Sequence, residues 1–226
     1  MSMFNWLDQS KEEWDNRASF WNSRSKEMWE KGSRKDILPF LGKHLEGKSK
    51  VLDVGCGDGY ASYKLHMMGH EVIGVDISVE MIEKAKERTS AIPFLIANIE
   101  NLPIDSNTMD AALCINVLEW VENPANALTE LSRVLKPNGF LVAGILGPTA
   151  GPRAVSFPKV YGIDTISNSM MPWEFYKLSQ ELGFELVNDF GVFKKEVKKQ
   201  HYEDLPVMLK QALSFMWVFL LCKREV

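Results

Sequence analysis

Three alternating glycines stand between an apolar segment and a helix-like segment near residue 50. The run VLDVGCGDGY, residues 51–60, places Gly55, Gly57 and Gly59 directly after four residues typical of a buried strand. Glycine permits a tight turn and lets a ligand approach the backbone, because no Cβ atom stands in the way. The free N–H groups at the start of the following helix favour an electron-rich ligand. The pattern therefore predicts a ligand-binding loop, with a strand–helix turn that binds nothing as the alternative.

The spacing of these glycines distinguishes between ligands. A dinucleotide-binding loop reads Gly-x-Gly-x-x-Gly, which would require a glycine where this chain has Tyr60. Asp53 lies two residues before the first glycine, and the loop reads acid-x-Gly-x-Gly-x-Gly. In this form it resembles the first motif of the class I S-adenosylmethionine-dependent methyltransferases, of the small-molecule type with a methyltransferase type 11-like domain. The resemblance covers residues 50–146 strongly and the rest loosely. It implies S-adenosylmethionine as the cofactor, with S-adenosylhomocysteine as its product, and a backbone contact at Cys56.

An acidic residue also ends the next predicted strand. The segment EVIGVDIS, residues 71–78, places Asp76 at its carboxyl end. A carboxylate there can accept hydrogen bonds from both hydroxyls of a ribose, and the resemblance gives Asp76 that role. Ile77 would then pack on the adenine ring. A helix cap is the alternative for Asp76, but Ser78 already supplies a cap.

Two later segments complete the predicted cofactor site. In ANIENLPI, residues 97–104, Asn98 stands where related sequences often have an aspartate that bonds the adenine amino group. Its amide oxygen can accept the same bond, and a turn-forming asparagine is the alternative. Ile99 is expected to contact the adenine ring. The segment ALCINVLEWVENP, residues 112–124, resembles the family's fourth motif, which would place Asn116 near the amino group of the methyl donor.

No general base stands out beside these residues. Trp120 occupies a position where related sequences often have a histidine, and an indole cannot act as a base. Glu119 is the nearest ionisable side chain. Because the methyl donor is already activated as a sulfonium, alignment is the main task, and no catalytic residue is assigned. We predict that the cofactor-binding residues are Asp53, Gly55, Cys56, Gly57, Gly59, Asp76, Ile77, Asn98, Ile99 and Asn116.

The elements that must hold these residues alternate between strand and helix from residue 50 onward. This alternation predicts a mainly parallel sheet with helices on both faces. The apolar run FMWVFLLC, residues 215–222, suits a strand buried on both faces, with a core helix as the alternative. The resemblance implies a doubly wound α/β fold of seven strands in the order 3-2-1-4-5-7-6, with the last strand antiparallel. The ligand crevice would lie at the carboxyl ends of strands 1 to 4.

Residues 1–48 are predicted to form an N-terminal helical cap on a single compact Rossmann-like domain, residues 49–226. Apolar and small residues between Trp14 and Met28 recur at helical spacing and predict a helix of about four turns. A second helix is predicted over residues 33–44. Whether the cap covers the cofactor or only docks on the domain stays open for Trp14, Trp21, Trp29 and Arg34.

Composition narrows the class of protein. The chain has 226 residues, 46% hydrophobic and 25% charged, which is ordinary for a globular protein. The formal net charge of −4 argues against a nucleic-acid partner. Three cysteines far apart and no apolar N-terminal run predict a cytoplasmic protein. The longest apolar run is too short to span a membrane. The spacing of the histidines does not indicate a metal site.

These observations lead to one expected function and two alternatives. We expect methyl transfer from S-adenosylmethionine to an unidentified small-molecule acceptor. A non-catalytic adenosyl-binding or scaffold protein of the same fold is one alternative, since fold does not prove turnover. A nicotinamide-dependent oxidoreductase is the other, and Tyr60 and Asp53 disfavour it.

Overall fold

The computed structural model describes residues 4–225 and contains one seven-stranded sheet. Its strands are β1 (Lys50–Val54), β2 (Glu71–Asp76), β3 (Phe94–Ile96), β4 (Met109–Ile115), β5 (Leu135–Leu146), β6 (Phe184–Val192) and β7 (Met216–Lys223). They lie in the order β3-β2-β1-β4-β5-β7-β6. The first five are parallel, and β7 pairs antiparallel with both β5 and β6. The predicted strand order and the antiparallel last strand are confirmed.

Seven α-helices are seen in the described part of the chain. They are α1 (Trp6–Glu30), α2 (Ile37–Gly42), α3 (Tyr60–Met67), α4 (Val79–Arg88), α5 (Pro124–Val134), α6 (Pro172–Glu181) and α7 (Val207–Leu213). The Ser78 side chain caps α4 as predicted, by accepting a hydrogen bond from the Met81 N–H at 3.1 Å. Within residues 4–225, no helix combines the length and the apolar character that a membrane crossing requires.

The sheet is buried on both faces. Leu52 of β1 packs in one apolar cluster with Leu128 of α5, and its neighbour Val51 packs in the other with Leu65 of α3. Side chains alternate between the two faces of a strand, so helices must cover both faces. This arrangement is the doubly wound fold that the sequence predicted.

Helix α5 ends before Pro137 and Gly139, two residue types that commonly end helices. Its last residue is Val134, and Leu135 is already extended and paired with Met109 of β4. The register shifts after this pair. Pro137 and Gly139 therefore lie at an irregular start of β5, where an unpaired proline N is tolerated.

The N-terminal helices also differ from the prediction. The first, α1, has 25 residues rather than four turns, and the Asn5 side chain caps it by accepting from the Asp8 N–H at 3.1 Å. The second helix begins at Ile37, because residues 31–36 form turns instead. The division into a cap of residues 1–48 and a domain of residues 49–226 stays a prediction.

Candidate functional site

A cavity of about 360 Å³ lies at the carboxyl ends of the parallel strands. This volume is within the range of small-molecule sites. The strand order fixes which residues meet along it: Ile99 follows β3, Asp76 ends β2, the glycine loop follows β1, Asn116 follows β4, and Leu146 ends β5. Neighbouring strands are about 4.8 Å apart, so the cavity extends roughly 19 Å across five strands.

The glycine loop presents its backbone to this cavity. Gly57 has a φ of +54°, and its N–H donates to Asp76 Oδ2 at 2.8 Å. A Cβ atom built on Gly57 would contact only Met81 Sδ, at 3.8 Å, so the loop is open on the side of the cavity. Gly57 therefore has the conformation and the open surroundings that backbone contact with a ligand requires.

Gly59 has a different role from the one predicted. All of the predicted cofactor residues line the cavity except Gly59. A Cβ atom on Gly59 would lie 2.8 Å from Phe94 Cζ and 2.9 Å from Ala85 Cβ, and its φ is +72°. The absence of a side chain at Gly59 thus allows α3 to begin against α4 and β3. We assign Gly59 to packing rather than to ligand contact.

Two buried carboxyl groups flank the glycine loop. Asp53 is 3% exposed and accepts a hydrogen bond from Ser62 Oγ at 2.5 Å. Burial raises the pKa of Asp53 to about 7, with a smaller contribution from the Asp76 charge. Burial also raises the pKa of Asp76, although the Ser78 and Gly57 N–H groups oppose this shift. Each Asp76 oxygen accepts one of these backbone bonds and keeps a lone pair for a further donor such as a ribose hydroxyl.

Cys56 and Asn98 contribute differently to the cavity wall. The Cys56 N–H donates to the Val75 carbonyl at 3.0 Å, and burial raises the pKa of the thiol well above its ordinary value. A neutral buried thiol is not a nucleophile. The Asn98 side-chain oxygen accepts from the Glu100 N–H at 3.1 Å, which is the turn-forming role that we held as the alternative.

Asn116 joins the sheet to the N-terminal segment. It has a φ of +58°, a strained conformation for a residue other than glycine. Its side-chain N–H donates to the Gly144 carbonyl at 3.3 Å, and its oxygen accepts from Arg34 Nη2 at 3.5 Å. Arg34 also lines the cavity and lies 5.5 Å from the Trp29 ring centroid. The turns at residues 31–36 thus bring a cation to the wall of the cavity.

One face of α1 forms a long wall of the cavity. Trp14, Trp21, Trp29 and Arg34, for which the sequence left cofactor contact open, all line the cavity. Sequence reasoning missed Trp6 and Ser10, whose i, i+4, i+8 spacing with Trp14 continues the same helical face. The α1 residues that line the cavity are Trp6, Leu7, Ser10, Trp14, Trp21, Ser25, Met28 and Trp29.

Polar contacts hold α1 against the sheet edge. Ser25 Oγ donates to Asp58 Oδ1 at 2.7 Å, and Arg88 of α4 forms an ion pair with the same carboxylate. Nearer the middle of α1, Asp15 Oδ1 accepts from Ser78 Oγ at 2.5 Å. Asp58 could not be recognised from the sequence, because no local pattern distinguishes a buried aspartate from a solvated one in a polar loop.

The end of the cavity beside β5 is aromatic. Trp6 Nε1 donates to the Trp120 carbonyl at 2.8 Å, and the Trp14 and Trp120 rings meet edge to face with centroids 5.7 Å apart. Leu146 and Phe215 pack in the same cluster and also line the cavity. We call these five residues the aromatic end. Its walls are apolar, in contrast to the carboxyl groups beside the glycine loop.

The long connection after β5 contributes little to the cavity. Its aromatic residues Phe157 and Tyr161 are 60% and 72% exposed and do not line the cavity. Met170 is buried in the core, and the connection contributes Pro152 instead. Arg153 holds the connection in place by donating to the carbonyls of Leu146, Gly147 and Met170.

Glu119 does not face the cavity. Its Oε1 accepts from the Leu146 N–H at 2.5 Å, and Oε2 has no hydrogen-bond partner among residues 4–225. Burial raises the pKa of this carboxyl group. Because Glu119 does not line the cavity, we do not assign it as a general base.

Residues 52–143 match the family model described as a methyltransferase domain. This segment is a methyltransferase domain. It contains all the cofactor residues predicted from the sequence, which lie in β1 and β2 and in the loops that follow β1 to β4. The match agrees with the resemblance to methyltransferases that the motifs carry. Solved structures of S-adenosylmethionine-dependent methyltransferases, at 17–19% identity, share the fold.

Relatives with named activities match less than half of the chain. A malonyl-[acyl-carrier protein] O-methyltransferase from Hamiltonella defensa is 36% identical over 99 residues, which are 44% of this chain and 38% of that protein. The one from Salmonella typhimurium is 37% identical over 91 residues, 40% of this chain and 36% of that protein. The chain thus spans well under half the length of these relatives.

Solved structures share the fold over nearly the whole chain. A putative methyltransferase from Haloferax volcanii, solved in complex with the Trm112 methyltransferase activator, has a TM-score of 0.74 and 18% identity. The alignment covers 96% of this chain and 98% of that one. At this identity the likeness shows the fold alone.

Proposed function

We propose that this chain transfers a methyl group from S-adenosylmethionine to a small-molecule acceptor. The observation that carries the proposal is the convergence of Asp53, the open backbone at Gly57, and Asp76 on one cavity within the methyltransferase domain. The family match does not favour the two alternatives, the nicotinamide-dependent oxidoreductase and the scaffold protein.

The polar groups of the cavity fit this cofactor. The carboxyl groups of Asp53 and Asp76 suit an ammonium group and ribose hydroxyls, and the Arg34 guanidinium suits a carboxylate. Trp21 also lines the cavity, and its Nε1 has no hydrogen-bond partner within residues 4–225. When bound, S-adenosylmethionine supplies a methyl group whose bond to sulfur breaks, with both electrons remaining on sulfur, as the acceptor atom bonds to the methyl carbon.

The chain's own contribution is to orient the reactants and to exclude water. The face of α1 covers the cavity from the glycine loop to the aromatic end, and hydrogen bonds through Ser25 and Asp15 fix the helix in place. Holding two reactants in line lowers the barrier without acid–base catalysis. Most of the predicted cofactor residues lie in or directly after strands β1 to β3, with Asn116 after β4, so we place the acceptor at the aromatic end, beside β5.

The proposal is tested by titrating S-adenosylhomocysteine into the protein by calorimetry. Asp76→Asn is expected to weaken binding at least tenfold, because charge-assisted hydrogen bonds contribute roughly 1.5–3 kcal/mol. Asp105→Asn is the matched control, since Asp105 is exposed and far from the cavity wall. No binding to folded wild-type protein would reject the proposal.

A second measurement separates an enzyme from a scaffold protein. Labelled methyl transfer from S-adenosylmethionine to compounds of a metabolite extract is expected for an enzyme and absent for a scaffold protein. Titration with NADH, followed by its fluorescence, is expected to show no binding.

A further inference from the structure

Two segments of the chain lie together beyond the carboxyl end of β5. They are residues 147–171, which follow β5, and residues 193–214, which connect β6 to β7. Lys194 Nζ donates to the Thr149 carbonyl at 2.5 Å, and a Cβ atom built on Gly147 would overlap the carbonyl oxygen of Ser214. The two segments therefore pack against each other and form one surface, which we call the connection surface.

Large apolar side chains are exposed on both parts of the connection surface. Each of them has between 49% and 74% of its surface exposed. They are Phe157, Val160, Tyr161 and Ile163 in the first segment and Val207, Met208 and Leu209 in the second. Single exposed apolar residues are common on proteins, but seven of them in two adjoining segments indicate an interaction surface.

The connection surface is also positively charged. Its two segments contain seven basic and four acidic residues, whereas the rest of the chain contains 19 basic and 26 acidic residues. Four of the basic residues are exposed and follow closely on one another, namely Lys194, Lys195, Lys198 and Lys199. A positive surface on a chain that is otherwise acidic favours an anionic partner at this surface.

Anionic lipid fits this combination of charge and exposed apolar side chains. At a bilayer surface, lysines stay among the headgroups while aromatic and aliphatic side chains enter the boundary of the acyl chains. A protein partner would instead need a complementary pocket for each protruding side chain across both segments. We therefore propose that the connection surface docks on an anionic lipid bilayer.

The connection surface continues into the aromatic end of the cavity. Lys159 Nζ lies 5.8 Å from the Trp6 ring centroid, and Pro152 lines the cavity itself. Phe215, the residue directly after the second segment, lines it as well. Docking therefore places the aromatic end next to the bilayer. The inference goes beyond methyl transfer, because docking requires neither the cofactor nor the acceptor.

Sedimentation with lipid vesicles tests this docking. The wild-type protein is expected to bind vesicles of mixed phosphatidylcholine and phosphatidylglycerol, to ignore pure phosphatidylcholine, and to dissociate as salt screens the charges. Lys195→Glu with Lys198→Glu is expected to weaken binding at least about twentyfold, because each lysine near an anionic bilayer contributes roughly fivefold. Val160→Ser with Ile163→Ser is expected to weaken binding about tenfold, because less apolar area enters the bilayer.

Matched control variants lie at the opposite edge of the sheet, where the strands β1 to β4 begin. Met67→Ser with Met68→Ser removes two exposed apolar side chains at the end of α3. Lys43→Glu with Lys86→Glu reverses two exposed charges, after α2 and in the last turn of α4. Both control variants are expected to bind the vesicles as the wild type does.

Three results would overturn the proposal. The first is a folded wild-type protein that does not bind the anionic vesicles. The second is equal weakening of binding in the control variants, which would show that the connection surface is not the site of contact. The third is capture by immobilised poly-L-glutamate without binding to vesicles, which would identify an acidic polypeptide as the partner instead of lipid.

Discussion

Replacing Asp53 by asparagine removes a buried carboxyl group but keeps its shape. Burial raises the pKa of Asp53 to about 7, and Ser62 Oγ donates to its Oδ2 at 2.5 Å. An amide has no charge to desolvate, and its oxygen still accepts the bond from Ser62. Asp53→Asn therefore isolates the effect of the titration on stability.

The sign and size of that effect follow from the two pKa values. The unfolded chain loses the Asp53 proton near the ordinary pKa of 3.8, whereas the folded protein keeps it up to about pH 7. Between these values the folded state binds more protons, so the free energy of unfolding falls as the pH rises. A separation of roughly three pH units at 1.36 kcal/mol each gives a loss of about 4 kcal/mol. The loss is absent below pH 4 and complete above about pH 7.

Urea unfolding between pH 4 and pH 8 at constant ionic strength measures this loss. From pH 4 to pH 8, the free energy of unfolding of Asp53→Asn is expected to rise by about 4 kcal/mol relative to that of the wild type. The exposed Asp105→Asn control is expected to follow the wild type. If the curves of Asp53→Asn and the wild type were parallel, the burial argument for Asp53 would be refuted.

Three further changes separate ligand contact from packing. Gly57→Ala is expected to weaken S-adenosylhomocysteine binding at least tenfold in calorimetry and to lower the free energy of unfolding by only about 1 kcal/mol, the cost of its left-handed φ. Gly59→Ala is expected to lower that free energy by about 3 kcal/mol in urea unfolding, because its Cβ would meet Phe94; a larger loss of stability for Gly57→Ala would contradict both assignments. Arg88→Met is expected to lower the free energy of unfolding by about 3 kcal/mol, since it leaves the Asp58 carboxylate buried without its cation. The same change is expected to speed amide hydrogen exchange in α1. Unchanged exchange would show that this ion pair does not fix the helix. Binding of S-adenosylhomocysteine at pH 7 is expected to release protons, because its ammonium group favours the ionised Asp53. Calorimetry in phosphate and in Tris measures the release, and its persistence in Asp53→Asn would assign it to another group.

Elements with strong local signals could be predicted from the sequence. The Ser78 cap fixes the start of α4, and the mostly apolar run at residues 51–54 predicts a strand buried between two layers of helices. The cofactor residues follow from the same logic, because the carboxyl ends of parallel strands meet at one edge of the sheet. Asp53, Gly57 and Asp76 therefore line one cavity as predicted.

Contacts between distant parts of the chain could not be predicted in the same way. The spacing that places Gly59 in the motif carries no information about Phe94, which lies 35 residues later and decides its role. The burial of Asp58 depends on Ser25 and Arg88, which come from two other helices. Such roles arise from tertiary packing, which a single local pattern does not encode.

The position of β7 has a consequence for synthesis of the chain. Strand β6 pairs only with β7 among the described strands, and β7 also covers the edge of β5. During translation, β6 therefore has no strand to pair with until residues 216–223 have emerged. Until then the edge of β5 is also exposed and can pair with a wrong strand. Phe215, which directly precedes β7, also completes the aromatic end. A nascent chain interrupted before this point would have neither a paired β6 nor a complete aromatic end.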